Sequence, residues 1–307
     1  DPSFTTRNIS TSINGARHVF TADLDNDGDL DILVTSHSDD IVYWYESDGA
    51  ADPSFTQRTV ASSEDEARDV RAADLDNDGD MDVIAAIESE DRIVWYENDG
   101  TADPSFTANS VTTSADAATG VFAIDIDRDG DMDLVSSSGN DDKIAWYEND
   151  GAADPSFTSR TIATSADRPQ AVFAADMDND GDVDVVSGSY NDNAVSWYEN
   201  TTSTYIGISA WTEVAAGSSF DAAGDVVHAD IDGDGDLDMV AVSAGDGDVS
   251  WFINDGSPAG AGWDEVVVDG DLANALSVAV ADMDNDGDLD VIASSGSGSD
   301  DLLWWIN

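Results

Sequence analysis

The chain has 307 residues, with 67 Asp and Glu against ten Lys and Arg and a formal net charge of −57. That balance excludes nucleic acid as a partner, because binding it needs a basic surface that displaces counterions, and it disfavours an anionic membrane face for the same reason. The absence of cysteine removes disulfides and thiolate metal sites, no stretch is apolar and long enough for a bilayer-spanning helix, and nine tryptophans with 41% hydrophobic content set the chain apart from disordered acidic sequences.

In chain order the first element is residues 1–10 (DPSFTTRNIS), an alternating strand marked by Phe4. A nine-residue acidic loop follows at Asp23–Asp31 (DLDNDGDLD). It recurs at Asp74–Asp82, Asp125–Asp133, Asp176–Asp184, Asp230–Asp238 and Asp282–Asp290, the first aspartates lying 51, 51, 51, 54 and 52 residues apart. The second copy shows the parts of one period. Ala67–Asp74 is an apolar run entering the loop, and Met81–Ile87 is a β-prone run leaving it. Glu88–Asp91 is a polar break, Arg92–Asn98 (RIVWYEN) is rich in β-branched and aromatic residues, Asp99–Gly100 opens a turn, and Phe106–Thr113 alternates. Four short runs without a helical period predict an antiparallel meander.

The third run recurs as Trp44-Tyr45-Glu46, Trp95-Tyr96-Glu97, Trp146-Tyr147-Glu148, Trp197-Tyr198-Glu199, Trp251-Phe252-Ile253 and Trp304-Trp305-Ile306. The fourth is marked by Phe4, Phe55, Phe106, Phe157, Trp211 and Trp263. Aromatics at matched positions of every repeat are expected to pack between neighbouring sheets rather than to stack on a ligand.

A four-strand unit repeating near fifty residues predicts an all-β fold, a six-bladed β-propeller of four-stranded antiparallel blades forming one domain over residues 1–307. The blades are expected near 16–65, 66–116, 117–167, 168–221, 222–273 and 274–307 plus 1–15. The N-terminal strand is expected to close the ring by completing the last blade.

Carboxylates at loop positions 1, 3, 5 and 9, with glycine at 6, resemble the first half of an EF-hand loop, and oxygen ligands on a tight turn suit a hard cation. In the first loop Asp23, Asp25, Asp27 and Asp31 are expected to ligate by side chain and Asp29 by its carbonyl. The matched sets are Asp74, Asp76, Asp78, Asp82 with Asp80; Asp125, Asp127, Asp129, Asp133 with Asp131; Asp176, Asp178, Asp180, Asp184 with Asp182; Asp230, Asp232, Asp234, Asp238 with Asp236; and Asp282, Asp284, Asp286, Asp290 with Asp288. Calcium is expected over magnesium for a largely protein-made cage, and zinc is disfavoured without Cys or clustered His. About six structural calcium ions, one per blade, are the expected cofactors. Arg128, at position 4 of the third loop, is expected to weaken that site.

The pattern DxDxDGDxD followed by an apolar strand and then WYEN resembles the FG-GAP/VCBS repeats of bacterial surface proteins and the propeller of integrin α chains, over essentially the whole sequence. The resemblance implies a structural metal on the lower face, in the loop joining the first two strands of each blade, and ligands on the opposite face.

On that opposite face the repeats disagree. Arg17, His18, His37, Arg68, Asp69, Arg92 and Tyr190 are the candidate ligand-binding residues. Arg17, His18, His37, Arg68 and Asp69 form a local concentration of Arg, His and Asp on adjacent blades. They are read either as a site for an acidic sugar or carboxylate peptide, or as arginines paired with nearby acids. His228, on a first strand, is expected to be buried or to line the channel. The expected function is a non-catalytic, calcium-stabilised binding or adhesion module, secreted or on the cell surface where free calcium is millimolar, recognising a glycan or protein without inserting in a membrane. The alternatives are a structural subunit of an extracellular assembly, with possible self-assembly, and a polysaccharide lyase or hydrolase.

Overall fold

A computed structural model of the chain describes residues 8–201, 211–217, 220–256, 263–283, 286–295 and 302–307. The chain divides into two compact units, one within Thr5–Thr161 and one within Ile162–Asn307. Each carries three β-propeller blades, and no helix occurs among the described residues.

The first unit holds β1 (Ala16–Ala22), β2 (Asp31–Ser36), β3 (Ile41–Ser47) and β4 (Phe55–Ser62); then β5 (Ala67–Ala73), β6 (Asp82–Ile87), β7 (Arg92–Asn98) and β8 (Phe106–Thr112); then β9 (Ala118–Ile124), β10 (Asp133–Ser138), β11 (Lys143–Asn149) and β12 (Phe157–Ala163). Each set of four is an antiparallel meander in chain order. The second unit repeats the plan with β13 (Pro169–Ala175), β14 (Asp184–Ser189), β15 (Ala194–Asn200) and β16 (Trp211–Gly217), and with β17 (Ala223–Ala229), β18 (Asp238–Ser243), β19 (Val249–Ile253) and β20 (Asp264–Asp269). Its last sheet is three-stranded: β21 (Ala275–Ala281), β22 (Asp290–Ser295) and β23 (Leu302–Trp305). The fourth strand expected for it from the N-terminal segment falls mainly on residues 1–7, outside the described residues. Asn8–Ser10 are described and are not in a strand.

The second strand of the second blade is covered on both faces, which is why it reads as an unbroken apolar run rather than an alternating one. Val83, Ile84, Ala85, Ala86 and Ile87 of β6 are fully buried. The third strand alternates. Trp44 of β3 packs into the core shared with Val70, Val83 and Tyr96 of the second blade, while Trp95 faces the third blade with Val121, Leu134 and Tyr147. Trp and Tyr, adjacent in sequence, therefore point to opposite neighbours, as a period of two requires. The matched aromatics pack between sheets as expected: Trp44 meets Phe106 edge-on at 6.1 Å, and Trp197 meets Trp263 at 6.3 Å.

Two register features position the functional ends of the blades. In all six sheets the residue before the acidic loop pairs with its last aspartate, Ala22 with Asp31 and Ala73 with Asp82 among them, so the sheet closes the loop's mouth. At its other end each first strand carries an irregularity, between Ala16 and Val19, between Ala67 and Asp69, and at the matching place in the rest. Such a bulge re-aims the side chains it carries. Arg17, Arg68, Thr119, Gln170, Gly224 and Leu276 occupy these places.

Candidate metal centres

Each of the first five acidic loops turns on two left-handed residues. In the first, Asn26 has φ 57° and Gly28 φ 93°; in the second, Asn77 has 61° and Gly79 97°. A Cβ on Gly28 or Gly79 would meet nothing within 4 Å, so glycine is required here by its φ rather than by space. This turn wraps the backbone N–H groups around the outside of the carboxylates. Asp27 N and Gly28 N donate to Asp23 at 3.2 and 3.0 Å, and Asp29 N donates to Asp27 at 2.9 Å. The second and third loops repeat these bonds.

With their outer oxygens so held, the carboxylates converge. One oxygen each from Asp74, Asp76 and Asp82 lies within 4.8 Å of the others, and likewise for Asp125, Asp127 and Asp133, for Asp176, Asp178 and Asp184, and for Asp23, Asp25 and Asp27. The last aspartate is the anchor of each cage. Asp82 is 1% exposed and accepts the N–H of Leu75 at 3.0 Å and of Asn98 at 2.9 Å. Its counterparts Asp31, Asp133, Asp184 and Asp238 accept the same pair of N–H groups. Burial pushes Asp82, Asp133 and Asp184 up to about 7, against the pull of those N–H groups. Asp127 is pushed up to about 6, by burial first and then by Asp129.

This donor set fits a hard divalent cation. It is built of oxygens alone, it gathers charges that raise one another's protonation, and in the fifth loop the buried Asp230 Oδ1 has no hydrogen-bond partner. A cation there would supply the positive charge that the converging carboxylates lack. Asp284 lies outside the described residues, while Asp282, Asp286, Asp288 and Asp290 show the same local bonding.

The aspartate at position 7, the fourth in each loop, uses its side chain elsewhere. The Asp80 carboxylate accepts Asn26 Nδ2 of the preceding loop at 2.5 Å and lies so close to Gly100 that any side chain there would collide with it. Asp131 likewise accepts Asn77 at 2.7 Å against Gly151, and Asp236 accepts Asn179 at 2.6 Å against Gly256. A second link runs back. Asn98, the last residue of WYEN, donates its amide to Leu24 O of the preceding loop at 2.8 Å and to Met81 O at 3.0 Å, and Asn149 treats Leu75 and Met132 the same way. The motif's recurrence is the signal for this residue, but its partner in the preceding loop stands 74 residues away in the chain.

At the other end of the first two blades the structure brings together most of the candidate ligand residues. Arg68 Nη1 bonds Glu88 at 2.8 Å and is largely buried. The pKa of Arg17 is lowered by partial burial of its guanidinium and then by Arg68, with Glu88 opposing. His18 Nδ1 stands 3.0 Å from Asp69 Oδ1 without hydrogen-bond alignment, and His37 Nε2 lies 3.5 Å from Glu66. Asp69, 7% exposed, has a structural job: it accepts Val70 N at 2.8 Å and Val121 N of the third blade at 2.9 Å. Asp225 makes the matching bonds to Val226 and Val278. Arg92 is taken up by Glu64 and Glu90. Tyr190 belongs to the second unit, under the Arg168 guanidinium at 5.2 Å. His228 is partly buried, stacked on Phe173 at 4.6 Å, and burial lowers its pKa.

The family model for FG-GAP-like repeats matches residues 23–85, 74–136, 125–187, 176–241 and 230–293, so each match spans one acidic loop to the next. The chain belongs to the FG-GAP-like repeat family. A search of curated proteins returns no match. Among solved structures, an Agrocybe aegerita lectin that recognises non-reducing terminal N-acetylglucosamine aligns at TM-score 0.61 and 19% identity, over 92% of this chain and 75% of the lectin. BBS1N, solved in complex with ARL6DN, aligns at TM-score 0.61 and 10% identity, over 95% of this chain and 80% of its own. A provisionally assigned gluconolactonase aligns at 0.54 and 12% identity, over 97% and 90%. At these identities the likeness is one of fold. What the FG-GAP-like repeats here share beyond fold is the cage itself, an anchored aspartate behind converging carboxylates.

Proposed function

We propose that this FG-GAP-like chain is a calcium-stabilised extracellular binding module that recognises a glycan through the bulged ends of its first strands, away from the acidic loops. The observation that carries this reading is the mixed cluster on the first two blades. Arg68 is spent on Glu88 and Asp69 on backbone N–H groups, so a paired-arginine grip on an acid is not what the geometry supports. What remains is Arg17, His18 and His37 beside Glu66 and Glu88, two acids already engaged by His37 and Arg68, so that donors and acceptors are interleaved. Sugar hydroxyls, each both donor and acceptor, suit such a lining better than a carboxylate does. The fold likeness to an N-acetylglucosamine-specific lectin supports the same class of ligand. Calcium acts at a distance from this surface, by holding the blades in register.

Binding to a glycan array in millimolar calcium tests the proposal. The expected result is calcium-dependent binding that Arg17→Ala abolishes while leaving the melting temperature unchanged. Binding indifferent to Arg17, or product formation from the glycans, would overturn it.

A further inference from the structure

We infer that cation binding in neighbouring loops is positively coupled, and that Asn26, Asn77 and Asn179 are the positioning residues that couple them. The inference rests on the proposal that the acidic loops hold calcium.

Each of these asparagines is position 4 of its loop and takes a left-handed φ of 57°, 61° and 57°. That conformation belongs to the turn that brings the loop's own carboxylates together. It also aims the side-chain amide out of the loop, across the blade boundary, onto position 7 of the next one. The contacts are Asn26 to Asp80 at 2.5 Å, Asn77 to Asp131 at 2.7 Å and Asn179 to Asp236 at 2.6 Å. Position 7 is the residue whose carbonyl is expected to join the receiving cage, and its N–H is already held by position 5, Asp80 N on Asp78 at 2.9 Å. The return link, Asn98 to Leu24 O, ties the same two loops from the other side.

Closing one loop on a cation therefore fixes the amide that orders the next. The second loop loses less freedom when its own cation arrives, which is positive coupling without any change of fold. The coupling is reciprocal, as equilibrium linkage demands. The side-chain chemistry also says where the relay stops. The fifth loop has Gly233 at position 4, with φ 74° and no amide to offer.

The test is calcium titration of the calcium-free full chain by calorimetry, with bound metal counted by elemental analysis. Asn→Gly is the informative change, since glycine keeps the left-handed turn and deletes only the amide. Wild type is expected to fill with a Hill slope above one. The double variant N26G/N77G is expected to lose that slope over the first three loops, with second-loop affinity falling about tenfold and the calcium-free melting temperature unchanged. Asn77→Asp, which sets a carboxylate against Asp131, is expected to split the transition further. Calcium that fills wild type with a slope of one, or a double variant that keeps the wild-type slope, overturns the coupling alone. Wild type that binds no calcium overturns both the coupling and the reading beneath it.

Discussion

The side-chain amide of Asn98 donates to the carbonyl oxygen of Leu24 at 2.8 Å, joining the third strand of one blade to the acidic loop of the blade before. The bond is buried, and the same amide also holds Met81 O. Asn98→Ala leaves two carbonyls without their donor, the buried one of Leu24 and the part-buried one of Met81. The expected cost is about 2–3 kcal/mol, read from urea denaturation with an unchanged m-value. Asn149→Ala should cost the same, because its bonds to Leu75 and Met132 have matching lengths. A loss below about 0.5 kcal/mol in both would mean that these links do not hold the blades together.

Asp82, Asp133 and Asp184 make the cation-free chain sensitive to pH. Their folded pKa is raised from 3.8 to about 7 by burial. The native state therefore holds protons that the unfolded chain has released, and stability falls as pH rises through the window from about 4 to about 7. A divalent cation displaces those protons, so its apparent affinity should rise across the same window. Melting in chelator and about 1 M salt, which screens the general charge repulsion, checks the first half. Calorimetry at matched pH values checks the second. A chelated midpoint that is flat over the window would contradict the burial of these carboxylates.

Gly100→Ala probes a close approach outside the loops. Gly100 has φ 63°, and a methyl there collides with the Asp80 carboxylate. The backbone cost alone is about 1–2 kcal/mol. The displaced carboxylate also releases Asn26, so the variant should weaken cation binding as well as stability. Gly79→Ala carries the φ cost without any collision outside the loop. Comparing the two by thermal melting, with and without calcium, separates strain from the loss of the interloop contact.

Asp69 and Arg17 should part company under mutation. Asp69→Ala leaves the buried N–H groups of Val70 and Val121 without an acceptor and should cost about 2–4 kcal/mol of stability. Arg17→Ala removes an exposed side chain and should leave the melting temperature in place while removing glycan binding. The reverse pattern would move the binding surface away from the bulges.

Much of this was legible before any coordinates. The strands, the order of the meander, the aromatic packing and the convergence of loop carboxylates follow from a period of two, turn chemistry and repetition, all local signals. What was not legible depends on neighbours distant in the chain, from about twenty residues for Arg68 to more than fifty for Asp69. Asp69 was grouped with His18 as a ligand residue because both differ between repeats, yet its partner is the backbone of Val121, and no pattern in the sequence announces an acceptor for a distant N–H. Arg68 reads from the sequence either as an anion grip or as paired with a nearby acid, and it is Glu88 that takes it. The bulges that present Arg17 and Arg68 leave no mark in composition. The terminal asparagine of WYEN was visible as a motif but mute as to its target.

The backward reach of those asparagines has an evolutionary corollary. Asn98 finds Leu24 and Asn149 finds Leu75 by the same bonds, so the second and third repeats present the same join to the repeat before them. A deletion of residues 74–124 would bring Asn149 to the place of Asn98, opposite Leu24, whereas a cut that is not a whole number of repeats would carry it out of register. Gain or loss of sequence here is expected in whole modules.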